Sequence, residues 1–249
     1  MTRARSERSA KKGFLGSIPK AGPGGRRGQR AGVPDSAAMA AVIDAKRERI
    51  LAVAERLFFE HGYARTTMEQ IVRELGVTKP YVYYYFHNKL EIYETLCWRP
   101  TVACFTALDF APDDARPARD KLAAGLERLV RETIVNHPAA FFAYREPQAL
   151  RPEYQAAVLK LARHFYERLC ALLEQARADG TADFDDTKVT ALAACSIPGF
   201  LFSWYQPDGR LPPEAMVRKL TALVLRVIGL RLPARVRART SAIALTAPD

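Results

Sequence analysis

The 249-residue sequence lacks any run of about 18 consecutive apolar residues, the length that a membrane-spanning helix requires. No apolar segment follows its basic N-terminus, so we do not expect a secretory signal. No segment alternates apolar and polar residues between hairpin turns, and no repeat of fixed period occurs. We therefore predict an all-α protein without a membrane span.

Cysteine and histidine are scarce, at four residues each. The cysteines are scattered without a C-x-x-C pair, which argues against a zinc site and fits a reducing cytoplasm. The histidines have no paired carboxylate or metal-ligand spacing, and no Ser or Cys lies in a nucleophile motif. We therefore predict a cytoplasmic non-enzyme with no metal, no cofactor and no catalytic residue.

The excess of positive charge lies at the two ends of the chain. The net charge is +11, but residues 1–43 hold nine Lys or Arg against two acidic residues, and residues 44–98 hold eight of each. Residues 231–249 add four Arg against one Asp. We expect a disordered basic arm over 1–43 and a basic tail over 231–249, able to add salt-sensitive affinity for phosphates. The arm is more simply interpreted as a solvated tail, and a third interpretation is that translation starts at Met39.

The most informative stretch is RTTMEQIVRELGVTKPYVYYYFHNKLE, residues 65–91. Thr67 followed by Gln70 is a capping box that predicts the start of a helix. Gly76 is expected to end that helix in the left-handed conformation, and Thr78 to cap a second one. A helix, a glycine turn and a second helix at this spacing form a helix-turn-helix, whose second helix enters the DNA major groove.

Apolar spacing identifies the buried sides of these helices. Ile71 and Leu75 share one face of the first, and Val82 and Phe86 are predicted as the buried side of the second. Upstream, residues 44–61 predict a long amphipathic helix that braces the pair.

The stretch TTMEQIVRELGVTKPYVYYYFHNKLEIYE resembles the N-terminal domain of TetR/AcrR-type transcriptional regulators. It shares with them a Thr-Thr pair, an Ile, Gly-Val-Thr, Tyr-Tyr-x-Phe, and a Lys followed by an aliphatic residue. It departs from them at Val72 and Leu75, where the family usually has alanine, and at Pro80-Tyr81, where it favours small residues.

The resemblance implies a three-helix DNA-binding domain over 44–90 and a helical ligand-binding and dimerisation domain over 91–230. Contacts to DNA are expected from the exposed side of the second reader helix and from helix N-termini, where anions bind. Lys79 suits a guanine or a phosphate, and Lys89 is expected to reach the DNA backbone. The expected DNA-binding residues are Thr67, Thr78, Lys79, Tyr81, Tyr83, Tyr84 and Lys89.

Helical periodicity continues through the rest of the chain. A short aromatic helix is expected after Pro138, and a kink at Pro198-Gly199. The longer helices are predicted at about 88–107, 116–136, 153–177, 185–205 and 213–229.

By resemblance, the last two helices pair with those of a second copy, which places two recognition helices about 34 Å apart on a palindromic operator. The residues expected at this homodimer interface are Val189, Ala193, Ile197, Leu220, Leu223, Val224 and Val227.

The helices between are expected to enclose a small apolar effector. The segments FFAYREPQALRPEY and IPGFLFSWYQPDG resemble, more diffusely, regulators of lipid or sterol-ring breakdown that respond to acyl-CoA thioesters. Taken singly, each aromatic residue is better interpreted as part of the core. The candidate ligand-binding residues are Phe105, Phe141, Phe142, Arg145, Phe165, Trp204 and Tyr205.

The helix-turn-helix predicts DNA binding, and the resemblance implies a transcriptional regulator that binds a double-stranded DNA operator as a repressor and is released by its ligand. Two alternatives stay open. One is a ligand-independent DNA-binding protein that acts through its basic tails. The other is a thiol-sensing regulator that uses Cys97 and Cys104, which lie seven residues apart on one helical face.

Overall fold

The structure is a computed structural model that describes residues 36–231, with side chains from residue 40. The predicted basic arm and tail therefore lie almost entirely outside the described residues. Regular structure within 36–231 is helical, apart from one isolated β-bridge between Ala182 and Leu230, so the all-α prediction is confirmed. No helix in this range is both long and apolar enough to cross a membrane.

Four helices form the first half of the described chain: α1 (Ser36–His61), α2 (Met68–Leu75), α3 (Lys79–Tyr85) and α4 (Lys89–Phe105). The contacts given below lie within the unit that begins at residue 44. Helix α1 begins at Ser36, earlier than the sequence pattern predicted, because apolar spacing marks only the part of a helix that is buried.

The second half contains α5 (Ala118–Val135), α6 (Phe142–Arg145), α7 (Pro152–Ala178), α8 (Thr187–Gly199) and α9 (Pro213–Val227). Short 3₁₀ turns cover Ala139–Phe141, Pro147–Ala149 and Leu201–Ser203. The single helix predicted over 185–205 is wrong at its end: α8 stops at Gly199 and a 3₁₀ turn follows. Pro198 lies in the last turn of α8 and has no N–H with which to continue the hydrogen-bond ladder.

The buried apolar residues form two clusters. The reader cluster contains the buried faces of α1, α2 and α3 and the first half of α4, together with Ala139, Phe142, Leu150 and Tyr154. The bundle cluster contains the buried residues of α5, α8, α9 and the second half of α7. The reader cluster therefore includes side chains from residues 139–154, although the sequence pattern placed that segment in the second domain.

Aromatic rings join α1 and α4 to this segment. The Tyr93 ring lies edge-on to Phe58 at 5.3 Å and stacks on Phe142 at 5.7 Å. The Tyr93 hydroxyl donates a hydrogen bond of 2.8 Å to the Phe142 carbonyl oxygen. Phe142 is 2% exposed and packs in the reader cluster, and its place in a ligand site stays a prediction.

A carboxylate–guanidinium pair joins α4 to the start of α7. The Glu94 side chain is 7% exposed, and Arg151 Nε lies 2.9 Å from both of its carboxylate oxygens. The Arg151 backbone N–H donates to the same group at 3.2 Å. The Arg151 side chain is well exposed and can be hydrated without its partner, whereas the buried Glu94 carboxylate depends on the pair for its hydrogen bonds.

We expect Arg151→Gln to lower the free energy of unfolding by about 1–3 kcal/mol, because the buried Glu94 carboxylate loses its charged donors. Urea denaturation of the full chain measures the change. Arg163→Gln, an exposed substitution on the same helix, is the matched control and should stay within about 0.5 kcal/mol of the parent. Equal effects of the two variants would contradict the importance of the pair.

Candidate nucleic-acid interface

The capping box that begins α2 is confirmed. Thr67 Oγ1 accepts from the Gln70 backbone N–H at 3.2 Å, and Gln70 Oε1 accepts from the Thr67 N–H at 2.7 Å. Gly76 follows α2 with a φ of 65°, in the left-handed region that an L side chain rarely adopts. The chain therefore turns sharply between α2 and α3, as the glycine predicted.

Helix α3 has one buried and one exposed side. Val82 and Phe86 are both 0% exposed, which confirms the buried side chosen from their spacing. Tyr83 and Tyr84 are 38% and 68% exposed. The Tyr81 ring is half-buried and lies 5.4 Å from the ring of Tyr85. The exposed side of α3 thus presents phenol rings and hydroxyls.

Two polar residues begin α3. Thr78 is its N-cap residue, as predicted, but the hydroxyl makes no capping hydrogen bond and is exposed. Lys79 extends its ammonium to Glu69 of α2, with 2.7 Å between Nζ and Oε1, and also lies 5.7 Å from the centre of the Tyr83 ring. The hydrogen bond from Lys79 lowers the pKa of Glu69, so the carboxylate stays charged.

Lys89 occupies a place that the sequence pattern did not predict. Its ammonium donates to the carbonyl oxygens of Tyr63 and Thr66, each at 2.7 Å, and to that of Ala64 at 3.4 Å. It also lies 4.2 Å above the Tyr63 ring. Three N–H groups meet three acceptors, so in this arrangement Lys89 holds the loop between α1 and α2 and leaves no donor for a DNA phosphate.

Two arginines of α1 were missed as positioning residues. Arg49 donates to the Leu75 carbonyl oxygen at the end of α2, at 3.2 Å. Arg47 donates to the Tyr85 carbonyl oxygen at the end of α3, also at 3.2 Å, and its guanidinium lies 4.2 Å above the Phe86 ring. Each cation meets the negative end of a helix dipole. A basic residue on an amphipathic helix predicts only a solvated side, so the sequence carried no signal for this role.

The candidate ligand residues do not line one common site. Arg145 lies 5.6 Å from the ring centre of Phe59, and Trp204 is 51% exposed. Phe142 belongs to the reader cluster. The remaining four, Phe105, Phe141, Phe165 and Tyr205, lie in or against the bundle cluster.

A cleft of about 410 Å³ opens beside Trp204 and Tyr205. Its other walls include Met216 and two cations, Arg210 and Lys219. Apolar and cationic groups thus share one surface there. Among the ion pairs of residues 36–231, neither Arg210 nor Lys219 has a partner.

The candidate dimer residues divide into two sets. Val189, Leu223 and Val227 are 65%, 41% and 43% exposed, Ala193 is exposed, and Ile197 is half-buried. The remaining two, Leu220 and Val224, are 4% and 0% exposed in the bundle cluster. These two side chains lie on the side of α9 that the chain itself covers, and their part in a dimer interface stays a prediction.

The cysteines are free thiols. Burial raises the pKa of Cys97 above its usual range and that of Cys104 to about 11. Among residues 36–231, no three His, Cys, Asp or Glu side chains are grouped so that they could hold a metal ion.

Two family models match the chain. "Bacterial regulatory proteins, tetR family" matches residues 50–96, which contain the helix-turn-helix. "Tetracyclin repressor-like, C-terminal domain" matches residues 115–228.

Individual relatives agree with these matches. The HTH-type transcriptional regulator TtgR of Pseudomonas putida is 42% identical over 50 residues, 20% of this chain and 24% of TtgR. The alignments span about a quarter of the length of the first three curated relatives.

Solved structures share the fold over most of the chain. The regulator PfmR from Thermus thermophilus is 26% identical, with a TM-score of 0.61, over 72% of this chain and 97% of PfmR. AibR, solved in complex with isovaleryl coenzyme A and operator DNA, is 20% identical, with a TM-score of 0.55, over 74% of this chain and 99% of AibR. With a helix-turn-helix at one end, an all-helical second half and a family match to each, the chain belongs to the TetR family of bacterial regulatory proteins.

Proposed function

We propose that the chain is a sequence-specific DNA-binding transcriptional repressor whose helix α3 enters the major groove. The observation that carries the proposal is the two-sidedness of α3: Val82 and Phe86 are completely buried, while Tyr83 and Tyr84 are exposed. In this proposal residues 44–90 bind DNA, and residues 91–230 bind a ligand and a second copy of the chain.

The roles of the exposed groups follow from their chemistry. Lys79 suits the O6 and N7 acceptors of a guanine, and the tyrosine hydroxyls suit phosphate oxygens. Thr78 offers a hydroxyl that is not used in capping. Thr67 contributes through the N-terminus of α2, whose backbone N–H groups favour an anion, since its own hydroxyl is used in the capping box. Lys89 and the two α1 arginines hold these groups in place.

The second element of the proposal is a homodimer formed through α8 and α9. Val189 and Leu192 of α8 are 65% and 58% exposed, and Leu223 and Val227 of α9 are also well exposed. Exposed apolar side chains on two adjacent helices favour a partner surface. The buried residues Leu220 and Val224 of the same helix α9 pack in the bundle cluster and fix the position of this exposed face.

The third element is release by an amphipathic anion bound in the cleft beside Trp204. An acyl-CoA thioester combines an apolar tail with several phosphates, and the cleft combines Trp204 and Met216 with Arg210 and Lys219. The AibR complex supports the idea only as a precedent within the fold, since it holds isovaleryl coenzyme A together with operator DNA. A ligand that favours the DNA-incompetent shape lowers DNA affinity by its differential binding.

The thiol-sensing alternative receives less support. A thiol must ionise to react with an oxidant, and burial keeps both Cys97 and Cys104 protonated near neutral pH. DNA binding through the basic ends alone is a different class, which the first experiment below separates from the proposal.

We expect Lys79→Ala to weaken binding to duplexes selected by the parent protein from a random library by about tenfold. Tyr83→Phe should weaken it by about fivefold, because one hydroxyl contact is lost. Fluorescence anisotropy measures both. Lys160→Ala on α7 is the control and should leave the affinity unchanged. If both reader variants bind normally and removal of residues 1–35 and 232–249 abolishes binding, the basic ends make the contact and the proposal fails.

We expect Val189→Glu and Leu223→Glu each to weaken the dimer by roughly 2 kcal/mol or more, because an unpaired charge would be buried at the interface. Sedimentation velocity across a concentration series measures the shift. Leu159→Glu is the control, since Leu159 is an equally apolar residue, 69% exposed, on α7. A dimer that tolerates both interface variants, or that is equally weakened by the control, would place the interface elsewhere.

We expect a long-chain acyl-CoA to release the DNA, and Lys219→Ala to raise the concentration required by about fivefold, because one cation is lost. Anisotropy titration of the preformed complex measures this. Arg218→Ala removes an exposed cation of the same helix outside the cleft and should have no effect. Equal responses of the two variants would exclude the cleft as the effector site.

A further inference from the structure

A second cleft, of about 240 Å³, lies among α1, α4 and the end of α5. In the described part of the chain it shares no lining residue with the cleft beside Trp204. Helix α1, which forms one wall, is also the helix whose Arg49 and Arg47 hold the ends of α2 and α3. The apolar residues that line this second cleft are Leu51, Ala52, Leu96, Pro100, Val135 and Ala139.

Glu55 of α1 brings an unpaired carboxylate to this cleft. The residue is half-buried, and the one partner of its carboxylate among residues 36–231 is the Ala139 backbone N–H, which donates at 3.3 Å. Desolvation raises the pKa of Glu55 above its usual range, and no cation in this part of the chain offsets the effect. A partly desolvated carboxylate without a counter-ion is stabilised by any cation that reaches it.

The other charged groups of the cleft are already balanced. Glu48 pairs with Arg99, with 2.6 Å between Oε1 and Nη1, and the hydrogen bond from Arg99 lowers the pKa of Glu48. Burial lowers the pKa of His137, so its imidazole is neutral near pH 7. Among the described residues that line the cleft, Glu55 therefore carries the one uncompensated charge, which is negative although the whole protein is strongly basic.

We propose that this cleft is a binding site for a small primary ammonium ion that carries a short apolar chain. The ammonium donates to the Glu55 carboxylate, and the chain lies against Leu51 and Leu96 and covers Val135, which is otherwise 66% exposed. The site does not depend on the proposed function, because neither DNA nor the cleft beside Trp204 takes part in it.

The size and chemistry of the cleft select this class of ligand. Its volume of about 240 Å³ equals that of about eight water molecules at roughly 30 Å³ each, which suits an amine of about six carbons. Mg²⁺ and Ca²⁺ are poorer matches, because each takes about six or more oxygen or water ligands and the cleft offers one unpaired carboxylate beside apolar walls.

The probe is n-hexylammonium chloride, and 1-hexanol is the matched ligand of similar shape without a charge. We expect the full chain to bind n-hexylammonium with a Kd on the order of 1 mM, which is reasonable for so small a ligand. Binding of 1-hexanol should be weaker by about tenfold or more, because the charged hydrogen bond is lost. Isothermal titration calorimetry without DNA measures both.

Glu55→Gln tests the carboxylate, because glutamine keeps an acceptor for the Ala139 N–H and removes the charge. It should weaken n-hexylammonium binding by about tenfold or more. Glu60→Gln is the matched control, since Glu60 is an exposed acidic residue of the same helix outside the cleft, and it should change the affinity by less than about twofold.

Ala52→Leu tests the cavity separately from the charge. Ala52 is exposed on the wall of the cleft, so the larger side chain can be accommodated by the fold while it occupies space that the ligand needs. It should weaken binding by about fivefold or more with Glu55 intact. Thermal unfolding checks that each variant is folded.

Loss of binding in both Glu55→Gln and Ala52→Leu, with normal binding in Glu60→Gln, would establish the site. Equal affinity for n-hexylammonium and 1-hexanol would overturn it, because the carboxylate would then have no part in binding. Equal losses in Glu55→Gln and Glu60→Gln would reduce the effect to general charge attraction and overturn it too. Binding that survives both cleft variants would lie elsewhere on the molecule. Each of these failures leaves the proposed function untouched.

Discussion

The position of the reader helices depends on a group of aromatic rings contributed by both halves of the chain. Phe58 of α1, Tyr63 of the following loop and Tyr93 of α4 pack together with Phe142 of α6, with ring centres between 4.6 and 6.3 Å apart for the contacting pairs. The hydrogen bond from the Tyr93 hydroxyl to the Phe142 carbonyl oxygen adds a direction to this packing. Burial raises the pKa of Tyr93, so the hydroxyl remains a donor at any physiological pH. Because packed rings cannot shift one at a time, α4 and the segment containing α6 constrain each other.

Charged groups on either side of Tyr63 complete this junction. Lys89 lies above the Tyr63 ring, and Glu146, which directly follows α6, accepts from the Tyr63 backbone N–H at 2.8 Å. The loop between α1 and α2 is therefore held by the start of α4 and by residues far along the chain. Desolvation lowers the pKa of Lys89, and its three carbonyl partners compensate for part of the lost hydration. Through Glu146, the second half of the chain thus contacts the loop that leads into the N-terminus of α2.

The proposed DNA-binding surface combines shape with very little charge. Residues 44–98 are neutral in sum, and the single cation of α3 is paired with a carboxylate. The strongly basic segments lie at the ends of the chain. In the proposed function, the basic ends would supply salt-sensitive affinity for DNA of any sequence, and the reader helices would supply selectivity between base sequences. A high net charge by itself would have been a poor argument for the location of the reading surface.

The sequence by itself determined the local structure of the reader. The capping box of Thr67 and Gln70, the left-handed turn at Gly76, and the buried pair of Val82 and Phe86 all depend on neighbours within a few residues, and such effects are written in the local pattern. The resemblance of the same stretch to a known family identified the fold for the same reason.

Only the tertiary structure decided which surface covers each apolar or charged face. Periodicity placed Leu220, Leu223, Val224 and Val227 on one broad face of α9, but the packing of the chain against itself buries two of them and leaves two exposed. The sequence does not show whether the Lys89 ammonium contacts a phosphate or, as in the structure, three carbonyl oxygens. The local pattern shows which side chains share one face of a helix. The residues that pack against that face lie tens of positions away in the sequence, and the local pattern does not identify them.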